Sequence, residues 1–183
     1  FRDGFQSCIG ARAKTEDFAP ALEAAAKAGI SHIEIGGGAR FQSLFFYTQE
    51  NAFEEMDKWR QIVGPDVNLQ TLSRGVNVVG LSSQSSDIID LHARMFKKHG
   101  ITTIRNFDAL NDVRNIEVAV DETLKCGAHA SGTICYTISP IHTLDSYVEL
   151  AKNMVSIGCQ TIAIKDMAGI LSPAEAHKLV SSL

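Results

Sequence analysis

Lys165 closes an apolar run, Thr161-Ile162-Ala163-Ile164, and is followed at once by Asp166-Met167-Ala168-Gly169. The run has the composition of a buried strand that exits into a turn. An amine at such an exit is poorly hydrated, so its charged form is disfavoured and its reactivity rises. It needs a partner, a neutralising group or a covalent modification. Far away in the chain, Arg2, Asp3 and Gln6 stand close together, and Arg40 and Arg74 each follow a short β-branched or glycine-rich stretch. One acid, one desolvated lysine and several guanidinium groups, if brought to one rim, make a metal site that handles an anionic substrate.

A repeat supplies the means of bringing them together. An amphipathic helix, a glycine and a short β-branched run recur: Gly29 leads to Ile33-Glu34-Ile35, Gly64 to Leu69–Leu72, Gly100 to Thr103–Phe107, Gly127 to Gly132–Tyr136 and Gly158 to Thr161–Ile164. The glycines stand where helices end in a left-handed residue, and the spacing is that of a βα unit. Thr15 reads as the N-cap of a helix running to Ala28. Between Ser86 and His99, Ile88, Leu91, Met95 and Phe96 form one apolar face, with His92 beside it. Thr143–Ile157 is a further amphipathic helix. Ser172-Pro173-Ala174-Glu175 opens the last one with a capping box. Strands alternating with helices imply a parallel sheet.

The expected fold is α/β: a (β/α)8 TIM barrel shortened to about six βα units, incomplete at both ends, with residues 1–183 forming one domain. An open doubly wound sheet is the alternative. Gly36-Gly37-Gly38 runs into Ala39-Arg40-Phe41-Gln42, which does not read as a helix start, so these glycines indicate close backbone approach rather than a dinucleotide turn. Phe41, Phe45, Phe46 and Tyr47 read as an aromatic cluster in a long loop. At the strand exits lie Arg2, Asp3 and Gln6; Gly36–Gly38 and Arg40; Ser73 and Arg74; Asp108, Asn111 and Asp112; Ser139 and His142; and Lys165 and Asp166.

The 183 residues are 45% hydrophobic, with a formal net charge of −4. No Lys/Arg block could follow a phosphate backbone, which argues against nucleic acid. No apolar stretch is long enough to span a bilayer. Four cysteines without CxxC spacing read as reduced, mostly buried thiols of a cytoplasmic protein.

Four motifs, in order along the chain, carry a resemblance. Phe1-Arg2-Asp3-Gly4-Phe5-Gln6-Ser7, Phe107–Asn115, Gly132–Thr143 and Ile164–Gly169 resemble motifs of the biotin-dependent carboxyltransferase domains of pyruvate carboxylase, the transcarboxylase large-substrate subunit and the oxaloacetate decarboxylase α subunit. The resemblance implies carboxyl transfer between carboxybiotin and a 2-keto acid such as pyruvate or oxaloacetate, through an enolate. It implies that Asp3 binds a divalent metal (Zn, Mn or Co) and that Lys165, carried as a carbamate, binds it too. It implies that Arg2, Gln6 and Arg74 hold the keto acid, with Gln6 and Lys165 taking part in catalysis. Biotin would reside on a separate carrier domain or subunit, and the protein would act as a homodimer or larger assembly. The family's two remaining metal ligands form a His-x-His pair, which this chain lacks; it is expected beyond Leu183.

Three departures bear on substrate. Gly36-Gly37-Gly38-Ala39-Arg40-Phe41-Gln42 stands where the family usually has Trp-Gly-Gly-Ala-Thr-Phe-Asp, Leu81 stands for a tyrosine, and Phe5 for a frequent histidine. The gained Arg40 would place an extra guanidinium on the rim and favour a substrate other than plain pyruvate. On the residues alone, an ion pair of Lys165 with Asp3 or Asp166 is an alternative, and so is a simple turn at Arg74. Two other functions fit parts of the pattern. One is an acyl-CoA lyase or condensing enzyme of the hydroxymethylglutaryl-CoA lyase or isopropylmalate synthase type, against which Lys165 counts. The other is a non-catalytic barrel subunit.

Overall fold

The computed structural model describes residues 1–183. Five parallel strands form one sheet in sequential order: β1 (His32–Gly37), β2 (Asn68–Ser73), β3 (Thr103–Asn106), β4 (His129–Cys135) and β5 (Thr161–Lys165). The unbroken order is that of a sheet growing by one βα unit at a time, and it excludes the strand reversal of a doubly wound sheet. The helices are α1 (Asp3–Ile9), α2 (Thr15–Lys27), α3 (Gly38–Ser43), α4 (Ala52–Val63), α5 (Ser86–Lys98), α6 (Glu117–Lys125), α7 (Leu144–Ser156) and α8 (Pro173–Ser182). No helix is long and apolar enough to cross a membrane.

Strand alternation divides the sheet into two chemically different faces. Ile33, Ile35, Leu69 and Ile104 join Phe18, Leu22, Met56, Trp59 and Phe96 in an apolar core under α2, α4 and α5. A second core, around Ile116, Val120, Ala130, Ile134, Tyr147 and Met154, lies under α6, α7 and α8. The opposite face carries Glu34, Gln70, Leu72 and Arg105, which line a cavity instead of meeting a helix.

Several local expectations change. A helix does begin at the triple glycine: α3 starts at Gly38 and passes into a wider π-helical turn, Leu44–Thr48. The aromatics are therefore helical, with Phe41 packed against the core while Phe45, Phe46 and Tyr47 are exposed. Close approach holds as well, because a Cβ on Gly37 (φ +81°) would collide with the Leu72 carbonyl oxygen. Lys14, not Thr15, is the N-cap of α2; the buried Thr15 hydroxyl instead accepts a hydrogen bond from Trp59 Nε1 at 2.8 Å. On α5 the buried positions are Ile89, Ala93 and Phe96, while Ile88 and Leu91 stay exposed. Ser172 caps α8, but Glu175 pairs with Lys178 rather than closing a box. Of the cysteines, Cys135 and Cys159 are buried and Cys8 is exposed.

Candidate functional site

Residues from both ends of the chain and from the strands between them converge on one cavity of about 640 Å³ at the carboxyl ends of the strands. Its lining includes Asp3 and Gln6 from the start of α1 and Arg2 just before it. Arg74, from just after β2, and Lys165 and Asp166, at the end of β5, complete the expected set. The order of β1 to β5 is what unites them, since Arg2 and Lys165 stand near opposite ends of the chain and cannot meet otherwise.

Glu34 is the electrostatic centre of the floor. Its carboxylate accepts from Arg2 Nε at 2.5 Å, from Gln70 Nε2 at 2.6 Å and from Arg105 Nη2 at 2.9 Å. Glu34 and Gln70 are register partners on adjacent strands, and a bulge falls immediately after Glu34, where Gly36 rather than Ile35 pairs with Thr71. Arg2 is almost fully buried, and its Nη1 donates to Gln6 Oε1 at 3.2 Å. A buried guanidinium needs such partners, because unpaired charge in low dielectric is strongly disfavoured. Arg105 keeps one nitrogen, Nε, enclosed and without a partner.

Sequence reasoning missed Glu34, Gln70 and Arg105. These residues sit inside the strands, not at the strand exits. The available signal was polarity at alternate positions of three neighbouring strands, within Ile33-Glu34-Ile35, Leu69-Gln70-Thr71 and Ile104-Arg105-Asn106.

Lys165 makes no ion pair in this arrangement. Burial lowers its pKa first of all, and the nearby Arg2 and Arg105 lower it further, with Asp3 opposing. Its ammonium position lies 5.5 Å from the centre of the Phe107 ring. Asp166 does not pair with it. The Asp166 carboxylate turns into its own loop and accepts from the backbone N–H groups of Leu171 at 2.8 Å and Ile170 at 3.1 Å, which holds its pKa down. Asp3 is exposed to the cavity, with Arg2 Nη1 at 3.6 Å. Arg74 donates to the carbonyls of Val79 and Gly80 at 3.2 and 3.0 Å, and burial lowers its pKa.

Arg40 corrects the expectation placed on it. It is fully buried outside the cavity, donating to the carbonyls of Ala11 and Ala13, with its guanidinium among Phe5, Phe18 and Trp59. It fastens the segment after α1 onto α3 and offers nothing to a ligand. A Cβ at Gly36 would stand 3.4 Å from Met56, Thr71 and Trp59, so this position faces the packed core.

The fit of a divalent cation can be judged from the donors present. Asp3 offers an open carboxylate, and Lys165 an unpaired amine within electrostatic reach of it. No group of three His, Cys, Asp or Glu side chains is assembled. Asp3 and a carbamate on Lys165 would supply hard anionic oxygens, which suit such an ion as part of its ligand set.

No protein-family model matches the chain. It is 44% identical over 183 residues to a pyruvate carboxylase subunit of Methanocaldococcus jannaschii, covering all of this chain and 32% of that protein. It is 36% identical over 182 residues to the methylmalonyl-CoA carboxyltransferase 5S subunit of Propionibacterium freudenreichii, covering all of this chain and 36% of that subunit. Among solved structures, the carboxyl transferase domain of Rhizobium etli pyruvate carboxylase with pyruvate superposes with a TM-score of 0.94 at 33% identity, covering all of this chain and 32% of that one. The chain thus spans about a third of the length of these relatives.

Proposed function

We propose that the chain belongs to the biotin-dependent carboxyltransferase domain family, a reading supported by its similarity to the relatives named above, and that residues 1–183 form part of a TIM-barrel domain that moves a carboxyl group between carboxybiotin and a 2-keto acid such as pyruvate or oxaloacetate. The observation that carries this reading is the convergence of Arg2, Asp3, Gln6, Arg74, Arg105 and Lys165 on one cavity. The Rhizobium etli domain, which is similar over the whole of this chain, is described with pyruvate. The relatives named above are carboxylases and carboxyltransferases, and none favours the acyl-CoA lyase or the non-catalytic alternative.

Asp3 and Lys165, the latter as a carbamate, would hold a divalent ion (Zn, Mn or Co) together with ligands from elsewhere in the full-length protein. Such an ion would supply Lewis-acid polarisation of the keto group, and carboxybiotin on a carrier domain or subunit would supply or accept the carboxyl group. Arg2, Gln6 and Arg74 orient the keto acid by its carboxylate and carbonyl. Their charges and dipoles face the oxygen on which negative charge builds as the enolate forms, and they are already oriented before reaction. Glu34 keeps Arg2 and Arg105 fixed, so little reorganisation accompanies the charge development. The buried floor limits water, which strengthens each of these interactions. A homodimeric or larger assembly in the cytoplasm accompanies this reading.

The test uses the full-length protein and a coupled assay for oxaloacetate formation from pyruvate. Lys165→Ala and Asp3→Ala each lower kcat by about 100- to 1000-fold, the scale on which a transition-state charge stabiliser is lost. Wild-type turnover in both variants would refute the assignment.

A further inference from the structure

At the strand exits, β4 runs further than β3. The register between them ends at Asn106 opposite Gly132, yet β4 continues to Cys135, whose partner on the other side is Lys165 of β5. The backbone N–H and C=O of Cys135 that face β3 therefore have no strand to meet. The Asn111 side chain takes the strand's place. Its Oδ1 accepts from the Cys135 N–H at 2.8 Å, and its Nδ2 donates to the Cys135 carbonyl at 2.9 Å. A carboxamide is the side-chain group that carries donor and acceptor as a peptide does. Asn111 thereby adds one rung to the sheet beyond the end of β3.

The loop that presents this amide is built for it. Asn111 has φ +60°, a left-handed conformation that Asn tolerates better than most residues. Asp108 holds the turn by accepting from the backbone N–H groups of Leu110 at 3.1 Å and Asp112 at 3.0 Å and from Asn115 Nδ2 at 3.2 Å. The next rung, Tyr136 N–H to the Lys165 carbonyl at 2.8 Å, links the clamped residue's neighbour directly to the backbone of the site lysine.

We propose that Asn111 is a positioning residue: through its two hydrogen bonds to the Cys135 backbone it fixes the height and direction of the Lys165 side chain, and so the place of the carbamate. This rests on the reading of Lys165 given above. It assigns Asn111 no contact with substrate. Its removal should change the lysine's chemistry and turnover and leave keto-acid recognition by Arg2, Gln6 and Arg74 intact.

Two variants of the full-length protein test it. Asn111→Gly keeps the left-handed backbone accessible and removes the amide; Asn111→Asp keeps the acceptor and loses the donor. Both should leave the pyruvate KM unchanged and lower kcat by about 10- to 100-fold, as expected when a reacting group is slightly displaced. In resting enzyme with 13C-bicarbonate, the carbamate resonance of Lys165 should need more bicarbonate to reach its maximum in either variant than in wild type. A merely structural role would lower the melting temperature while leaving the bicarbonate dependence and the kcat of the folded fraction as in wild type, and that result overturns the proposal. Lys165→Ala serves as the separate control. If wild type shows no carbamate resonance that this control removes, the reading of Lys165 itself falls. A normal wild-type resonance that is unaltered in both Asn111 variants overturns the positioning role alone.

Discussion

Arg2 and Arg40 are both buried guanidinium groups, and their partners give them different duties. Arg2 borders the cavity against the Glu34 carboxylate, whereas Arg40 ties down a loop through the carbonyls of Ala11 and Ala13. Arg40→Ala should therefore leave the keto-acid KM of the full-length protein unchanged and cost about 2–3 kcal/mol of stability, the worth of hydrogen bonds from a charged group. Steady-state kinetics and urea unfolding check the two halves. Glu34→Gln should do the opposite in emphasis. It leaves two guanidinium groups short of an anion and should cost about 3 kcal/mol, the lower end for breaking a buried pair because Glu34 is partly exposed. Unfolding midpoints and kcat/KM should fall together; a variant as stable as wild type would show that Glu34 is not the anchor of the arginines. At this scale the type of a charge was legible in the sequence and its partner was not. Lys165 at the end of an apolar run announced a desolvated amine, and its lowered pKa follows from burial first and from Arg2 and Arg105 second.

Among the elements, the period of the apolar residues located every strand but not always the buried face of a helix. In α5 three residues of the face read from the sequence, Ile88, Leu91 and Met95, border an outward groove, while the fourth, Phe96, joins Ile89 and Ala93 in facing the core. Two adjacent apolar stripes on one helix are equivalent by periodicity, and only the docking of α5 chooses between them. His92 lies at the seam, its ring centre 3.9 Å from that of Phe96 and its Nε2 enclosed without a partner. Burial lowers its pKa from 6.5 to about 3. The folded state thus keeps the ring neutral while the unfolded chain binds a proton below pH 6.5, so stability falls as pH drops from 6.5 towards 3. His92→Phe should flatten that slope in urea unfolding measured across the same interval. An unchanged slope would mean that other groups set the acid sensitivity.

For the whole molecule, the sheet has two unpaired edges, β1 and β5. Beside β5, Ile162, Ile164, Val148, Val155, Val180 and Leu183 line an apolar cavity of about 700 Å³. An open parallel edge with an uncovered apolar flank invites association. The 183-residue chain expressed alone should bind an apolar dye and self-associate in a concentration-dependent way by sedimentation, whereas the full-length protein should show much weaker dye binding. A monomeric, dye-silent chain would contradict this. The repeat of helix, glycine and β-branched run determined the parallel α/β class and the rim on which Arg2, Asp3, Gln6, Arg74 and Lys165 meet, because these follow from local periodicity and from the directionality of βα units; about six units were expected, and five strands form. Tertiary structure alone decided that Glu34, Gln70 and Arg105 form the floor, that Arg40 leaves the rim, and that Asn111 completes β4. Those outcomes depend on strand register and on which face a side chain takes, and both are fixed only when neighbouring strands and helices pack together.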